Sequence, residues 1–149
     1  MADKPNPDDT TTENLQRALL EGADLDEFIY HNVDIFDEKS FHGQLALLQR
    51  RTPYAIKDII NGTYIDPSYC YQIFRGIRTP SRNKIIQICL FLEFSLQDLN
   101  RLLKLAGHSS LYIKRLRDTV LIHGFNTGLS LDEVEELLIE KNCESLTDS

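Results

Sequence analysis

The residues best equipped for chemistry in this chain lie between Asp66 and Arg82, in the run DPSYCYQIFRGIRTPSR. Asp66 has a side chain that accepts from the first amides of a helix, and Pro67 supplies the φ of a first helical position. Arg75-Gly76 closes the segment, because glycine takes the left-handed position after a helix without strain. At about 100° per residue, Cys70, Ile73 and Phe74 share one face and Ser68, Gln72 and Arg75 the other. Ser68 and Gln72 both donate and accept hydrogen bonds, while Arg75, Arg78 and Arg82 carry fixed positive charge. A short helix with a thin apolar stripe and a polar outer face suits a major groove.

Charge singles out the same stretch. The chain of 149 residues has a net charge of −7, too acidic to coat nucleic acid through charge alone. Residues 51–84 nevertheless hold six basic groups (Arg51, Lys57, Arg75, Arg78, Arg82, Lys84) against Asp58 and Asp66, a net of +4. Residues 1–40 carry three basic and eleven acidic groups, a net of −8, and residues 121–149 one basic and seven acidic, a net of −6. A basic window between acidic flanks is either a binding surface or a solvated helical one whose arginines pair with those flanks.

Other chemistries find little support. His31, His42, His108 and His123 are scattered without ligand or relay spacing, and no nucleophile elbow or phosphate-binding lysine loop occurs. Arg117-Asp118 reads as a pair on a helix surface. Asp34 and Asp37 read as a solvated acidic face rather than metal ligands, so no metal, no cofactor and no catalysis are expected. Three cysteines, Cys70, Cys89 and Cys143, show no CxxC spacing; two fall on apolar faces, as small buried hydrophobes of a reducing compartment do. The polar, acidic start is no secretory signal and no apolar run is long enough for a membrane span, so a cytoplasmic protein is expected.

The elements that position Asp66–Arg82 are all helices. Residues 1–9 read as a flexible acidic tail. Thr10 to Glu13 and Asp24 to Glu27 cap two short helices, and a third runs from near Asp37–Ser40 to Arg50. Helices follow over Tyr54–Asn61, Pro67–Arg75, Ser81–Glu93 and Leu96–Ala106. The third of these, apolar on nearly all sides, belongs at the centre of the core. Leu111 or Tyr112 to Phe125, and a last helix capped by Ser130 and Glu133, form a C-terminal appendage over 107–142, with 143–149 as a tail. The fold class is all-α.

In this order of parts, residues 51–106 resemble the Cro/repressor family of helix-turn-helix domains, the xenobiotic-response-element type related to phage lambda repressor. The resemblance rests on the helix ending near Asn61, on Pro67–Arg75, and on Arg75-Gly76-Ile77-Arg78-Thr79-Pro80-Ser81. The apolar helix IIQICLFLEF and the start Ser95-Leu96-Gln97-Asp98-Leu99 follow in the family's order. With RLLKLAG and LYIKRLRD behind, the chain looks like a bacterial branch with extra N-terminal and C-terminal helices around a lambda-repressor-like bundle. Ile60 stands where the second helix usually has a small residue, Tyr64 replaces the turn glycine, and Phe74 a common glutamate. A wider helix crossing and a rebuilt turn are expected from these.

The resemblance implies a transcriptional regulator that binds double-stranded DNA sequence-specifically. Carried over by position, base contacts fall to Pro67, Ser68, Tyr71 and Gln72, with Gln72 pairing bidentately with adenine. Tyr69 and Tyr71 either lie against sugar and thymine methyl or cover the core edge. Arg75, Arg78 and Arg82 would hold phosphates, as would Thr52, Tyr54 and Lys57 at the start of the preceding helix. The terminal helices would form a homodimer on a two-fold operator. The alternative is a protein-interaction module on the same fold, with Gln72 merely solvated.

Overall fold

The computed structural model describes residues 12–31 and 40–147, which contain nine α-helices and no strand. The expected tail over 1–9, and Asp34 and Asp37, lie outside the described residues. Among those described, no helix is long and apolar enough to cross a membrane. The chain divides into two units, Met1–Glu38 and Lys39–Ser149.

The first unit holds α1 (Thr12–Leu20) and α2 (Leu25–His31). Gly22, at φ +91°, turns the chain between them, and Asp24 caps α2 by accepting from the Glu27 amide at 3.1 Å. No residue of α1 is buried, and Leu19, Leu20, Leu25 and Ile29 are exposed.

The second unit holds α3 (Phe41–Arg50), α4 (Ile56–Gly62), α5 (Pro67–Phe74), α6 (Arg82–Phe91), α7 (Leu96–Leu105), α8 (Leu116–Thr127) and α9 (Leu131–Glu140). Their starts follow local chemistry. Ser40, Asp66, Ser81, Ser95 and Ser130 each accept from the backbone amide three residues on. Glu133 completes the expected box at Ser130, and hydrogen bonds from the Ser130 backbone and then its side chain hold the Glu133 carboxyl below its usual range.

At the centre stands α6, as its sequence predicts: Ile85 through Leu90 are all buried, including Gln87. It packs against α4, α7 and α9, while α3 packs on α5 and α7, and α8 on α7 and α9. One apolar cluster runs from Phe41 to Leu146. The expected divisions at 51 and 107 are therefore not seams. Phe41, Leu45 and Leu48 of α3 and Leu121, Val134 and Leu138 of α8 and α9 share that core. Glycine is required where α4 meets α6, since a Cβ at Gly62 would run into the Phe91 ring.

Two further expectations are corrected. The helix anticipated from Leu111 or Tyr112 begins only at Leu116, because side chains of α7 and of the first turn of α8 itself hold the preceding backbone. Asn100 accepts from the Leu111 amide at 3.0 Å, Asp118 from the Tyr112 amide at 2.9 Å, and Thr119 donates to the Ile113 carbonyl at 2.5 Å. Nor are residues 143–147 a loose tail: Leu146 is wholly buried, and Gln87 donates to its carbonyl at 2.7 Å.

Cys70 and Cys89 are buried as expected, and burial pushes the Cys70 thiol from 9.0 up to about 11 and the Cys89 thiol higher still. Thiolate, the reactive form, is thereby suppressed at neutral pH. In native protein near pH 7, a thiol-exchange reagent is expected to modify only the half-buried Cys143 quickly, and all three cysteines in denaturant. Rapid reaction at Cys70 or Cys89 would contradict this packing.

Candidate nucleic-acid interface

The outer face of α5 is built by its inner one. Cys70 and Ile73 are buried completely, which turns Pro67, Ser68, Tyr71 and Arg75 to solvent and leaves Gln72 half-exposed. The turn before α5 is held by a side chain of α6. Tyr64 has no positive φ, so glycine is not needed there; its amide donates to Gln87 Oε1 at 3.0 Å instead. The Tyr64 hydroxyl reaches Asp132 of α9 at 2.7 Å, and that hydrogen bond holds the phenol above its usual range.

The end of α5 is equally determinate. Gly76, at φ +76°, lets the Ile77 amide return to the Gln72 carbonyl at 2.9 Å and the Gly76 amide to the Ile73 carbonyl at 3.1 Å. This turn swings Arg78 back over the helix end. Its Nε donates to Gln72 Oε1 at 2.6 Å, and its guanidinium lies 5.4 Å from the centre of the Tyr69 ring. Lys84 Nζ lies 5.0 Å from the same ring. Tyr69 is thus half-buried under two cations. Comparison with protein-family models, curated proteins and solved structures finds no match.

Geometry sorts the sequence-predicted residues into two groups. Ser68, Tyr69, Tyr71, Gln72, Arg75 and Arg78 belong to α5 or the turn that caps it, with Pro67 at its first position; Lys57 is exposed in the first turn of α4. Three others are engaged elsewhere. Tyr54 packs its ring against Phe91, centroids 4.9 Å apart, and its carbonyl accepts from Gln49 at 2.6 Å. The Thr52 hydroxyl donates to the Gln49 carbonyl at 2.7 Å, closing the end of α3.

Arg82 departs furthest from its expected place on a phosphate. Its Nη1 and Nη2 fork onto Asp118 at 3.2 and 3.0 Å, while Nε and Nη2 also donate to the Ser109 and Ser110 carbonyls at 3.2 and 3.3 Å. Asp118 is buried, so Arg82 is its counter-charge rather than a solvent-facing cation. Arg117-Asp118 is accordingly no surface pair. Arg117 donates instead to Asn83 at 2.8 Å and to the Glu144 and Ser145 carbonyls at 3.0 and 3.2 Å.

The place of Lys84 over Tyr69 and the pairing of Gln72 with Arg78 were not legible in the sequence. Gly76 between the two was the available signal, because a left-handed turn after a helix brings the chain back over that helix's last turn. Among the described residues, no group of three or more His, Cys, Asp or Glu side chains is placed to hold a metal ion.

Proposed function

We propose that the chain is a sequence-specific double-stranded DNA-binding regulator on a lambda-repressor-like helix-turn-helix, with α5 lying in the major groove. One observation carries this reading: α5 turns Ser68, Tyr71, Gln72 and Arg75 outward, beside Arg78, in the basic window of an acidic chain. Side chains that reach base edges and cations that hold phosphates are the two components such recognition needs. Lys57 and Arg75 take phosphate roles; Arg82 does not, since Asp118 occupies it. Exposed Leu116 of α8 and Ile139 of α9 are the apolar residues through which the C-terminal helices would join two copies on a two-fold site.

Titration of duplexes drawn from a random pool, at several salt concentrations, tests this. Log K is expected to fall with log salt by roughly 0.9 for each phosphate contacted, and Arg75→Ala to reduce that slope by about 1. Binding at low salt that genomic fragments compete away without discrimination would sink the reading.

A second reading has its own observation. Tyr64, Tyr71 and Ile77 are exposed large apolar side chains in α5 and the turns that flank it, a composition that suits a protein partner. Removing residues 1–40 separates the cases. DNA binding that emerges only after removal identifies an acidic mask; binding that never emerges favours the interaction module.

A further inference from the structure

We infer that Gln72 and Arg78 act as one donor unit that selects guanine rather than the adenine a lone glutamine would choose; this rests on the DNA-binding reading above. A glutamine recognises adenine bidentately by donating to N7 and accepting from the N6 amine. Here one of the two lone pairs of that accepting oxygen is taken by a cation whose other hydrogens are donors as well. Arg78 Nε sits 2.6 Å from Gln72 Oε1. A guanidinium has hydrogens to give and no lone pair to offer, so the amide must turn its oxygen toward Arg78 and its nitrogen away.

Beside that oxygen the pair gathers a set of donors that outnumbers its one remaining lone pair: the Nε2 hydrogens of Gln72 and the Nη hydrogens of Arg78. In the major groove, guanine presents two adjacent acceptors, N7 and O6. Adenine would set its N6 donor, and cytosine its N4 donor, against another donor. Thymine offers a single acceptor. The arrangement exists before any DNA arrives. The Gly76 turn delivers Arg78 to the end of α5, and the Tyr69 ring, 5.4 Å from the guanidinium, supports its plane. Arg78 is therefore a specificity-determining residue that sets the base preference of Gln72, as well as a positive charge.

The test is selection of bound duplexes from a random pool by the full chain, by Gln72→Ala and by Arg78→Ala. Gln72→Ala identifies the base pair concerned as the one whose preference relaxes. Guanine is expected there for the unaltered protein, favoured over adenine by about ten-fold. Arg78→Ala frees Oε1 and is expected to move the preference at that pair toward adenine. Independently of any variant, 7-deazaguanine at that position removes the N7 acceptor and is expected to weaken binding by about ten-fold. Adenine selected by the unaltered protein, no pair that depends on Gln72, an unshifted preference in Arg78→Ala, or indifference to 7-deazaguanine would each overturn the inference while leaving DNA binding intact. Enrichment of no motif at all would overturn the DNA-binding reading itself, and this inference with it.

Discussion

Replacing Arg82 by alanine is expected to destabilise the folded chain by about 3–5 kcal/mol, the range for removing one partner of a buried ion pair. The Asp118 carboxylate, 3% exposed, would be left among Ser109, Ser110 and Tyr112 with one backbone amide as its remaining donor. The carbonyls of Ser109 and Ser110 would lose a donor at the same moment. Arg82→Lys should recover only part of the loss, since an ammonium cannot reproduce a fork that spans two carboxylate oxygens and two carbonyls. Urea denaturation reads the difference directly, and melting should fall by roughly 10 °C. The companion change Asp118→Ala tests the pairing. If the two residues act as a unit, the double variant will lose much less than the sum of the singles.

The same experiment separates two roles for one residue. A phosphate ligand at position 82 would, on removal, weaken DNA binding and leave unfolding where it was. A counter-charge to Asp118 does the reverse at the level of stability. An Arg82→Ala protein as stable as the original would refute the role of Arg82 as counter-charge to Asp118.

Leu146→Ala is the second large effect, at about 2–5 kcal/mol, as for a fully buried leucine truncated in a packed core. Leu146 is more than a plug. Its carbonyl takes Gln87 Nε2, and its amide donates to Glu135 Oε1 at 2.7 Å, while Ser145 donates to the other oxygen of that carboxylate. Arg117 donates to the carbonyls of Glu144 and Ser145 in the same segment. Ending the chain after Cys143 should therefore cost more than Leu146→Ala. It strands the Gln87 amide inside the core, and Gln87 is also what accepts the Tyr64 amide in the turn before α5. Equilibrium unfolding of both variants checks this. A change of less than about 0.5 kcal/mol in Leu146→Ala would place that segment outside the cooperative unit.

Much of the fold was legible because it is locally encoded. The serine and aspartate caps at Ser40, Asp66, Ser81, Ser95 and Ser130 act on amides three residues away, and the left-handed turns at Gly76, Gly107 and Gly128 need only a missing Cβ. The near-continuous apolar run of α6 announced its central position for the same reason: composition alone tells how much of a helix must avoid water. The inner and outer faces of α5 followed from helical periodicity.

What the chain's own sequence determined, then, is the set of helices, the order in which they come, and the polar face that α5 turns outward. The tertiary structure alone decided which charges that face contains. Arg75, Arg78 and Arg82 are the same residue type within eight positions, yet Arg82 is bound to a carboxylate 36 residues later and Arg78 to a glutamine six residues earlier. Likewise, residues 143–149 read as a tail, and only the packing showed that Leu146 is wholly buried. The physical reason is common to these cases. Caps and periodicity act within a turn of helix, whereas the partner of a charge, or of a lone apolar side chain, is chosen by which distant segment the core brings within hydrogen-bonding or van der Waals reach.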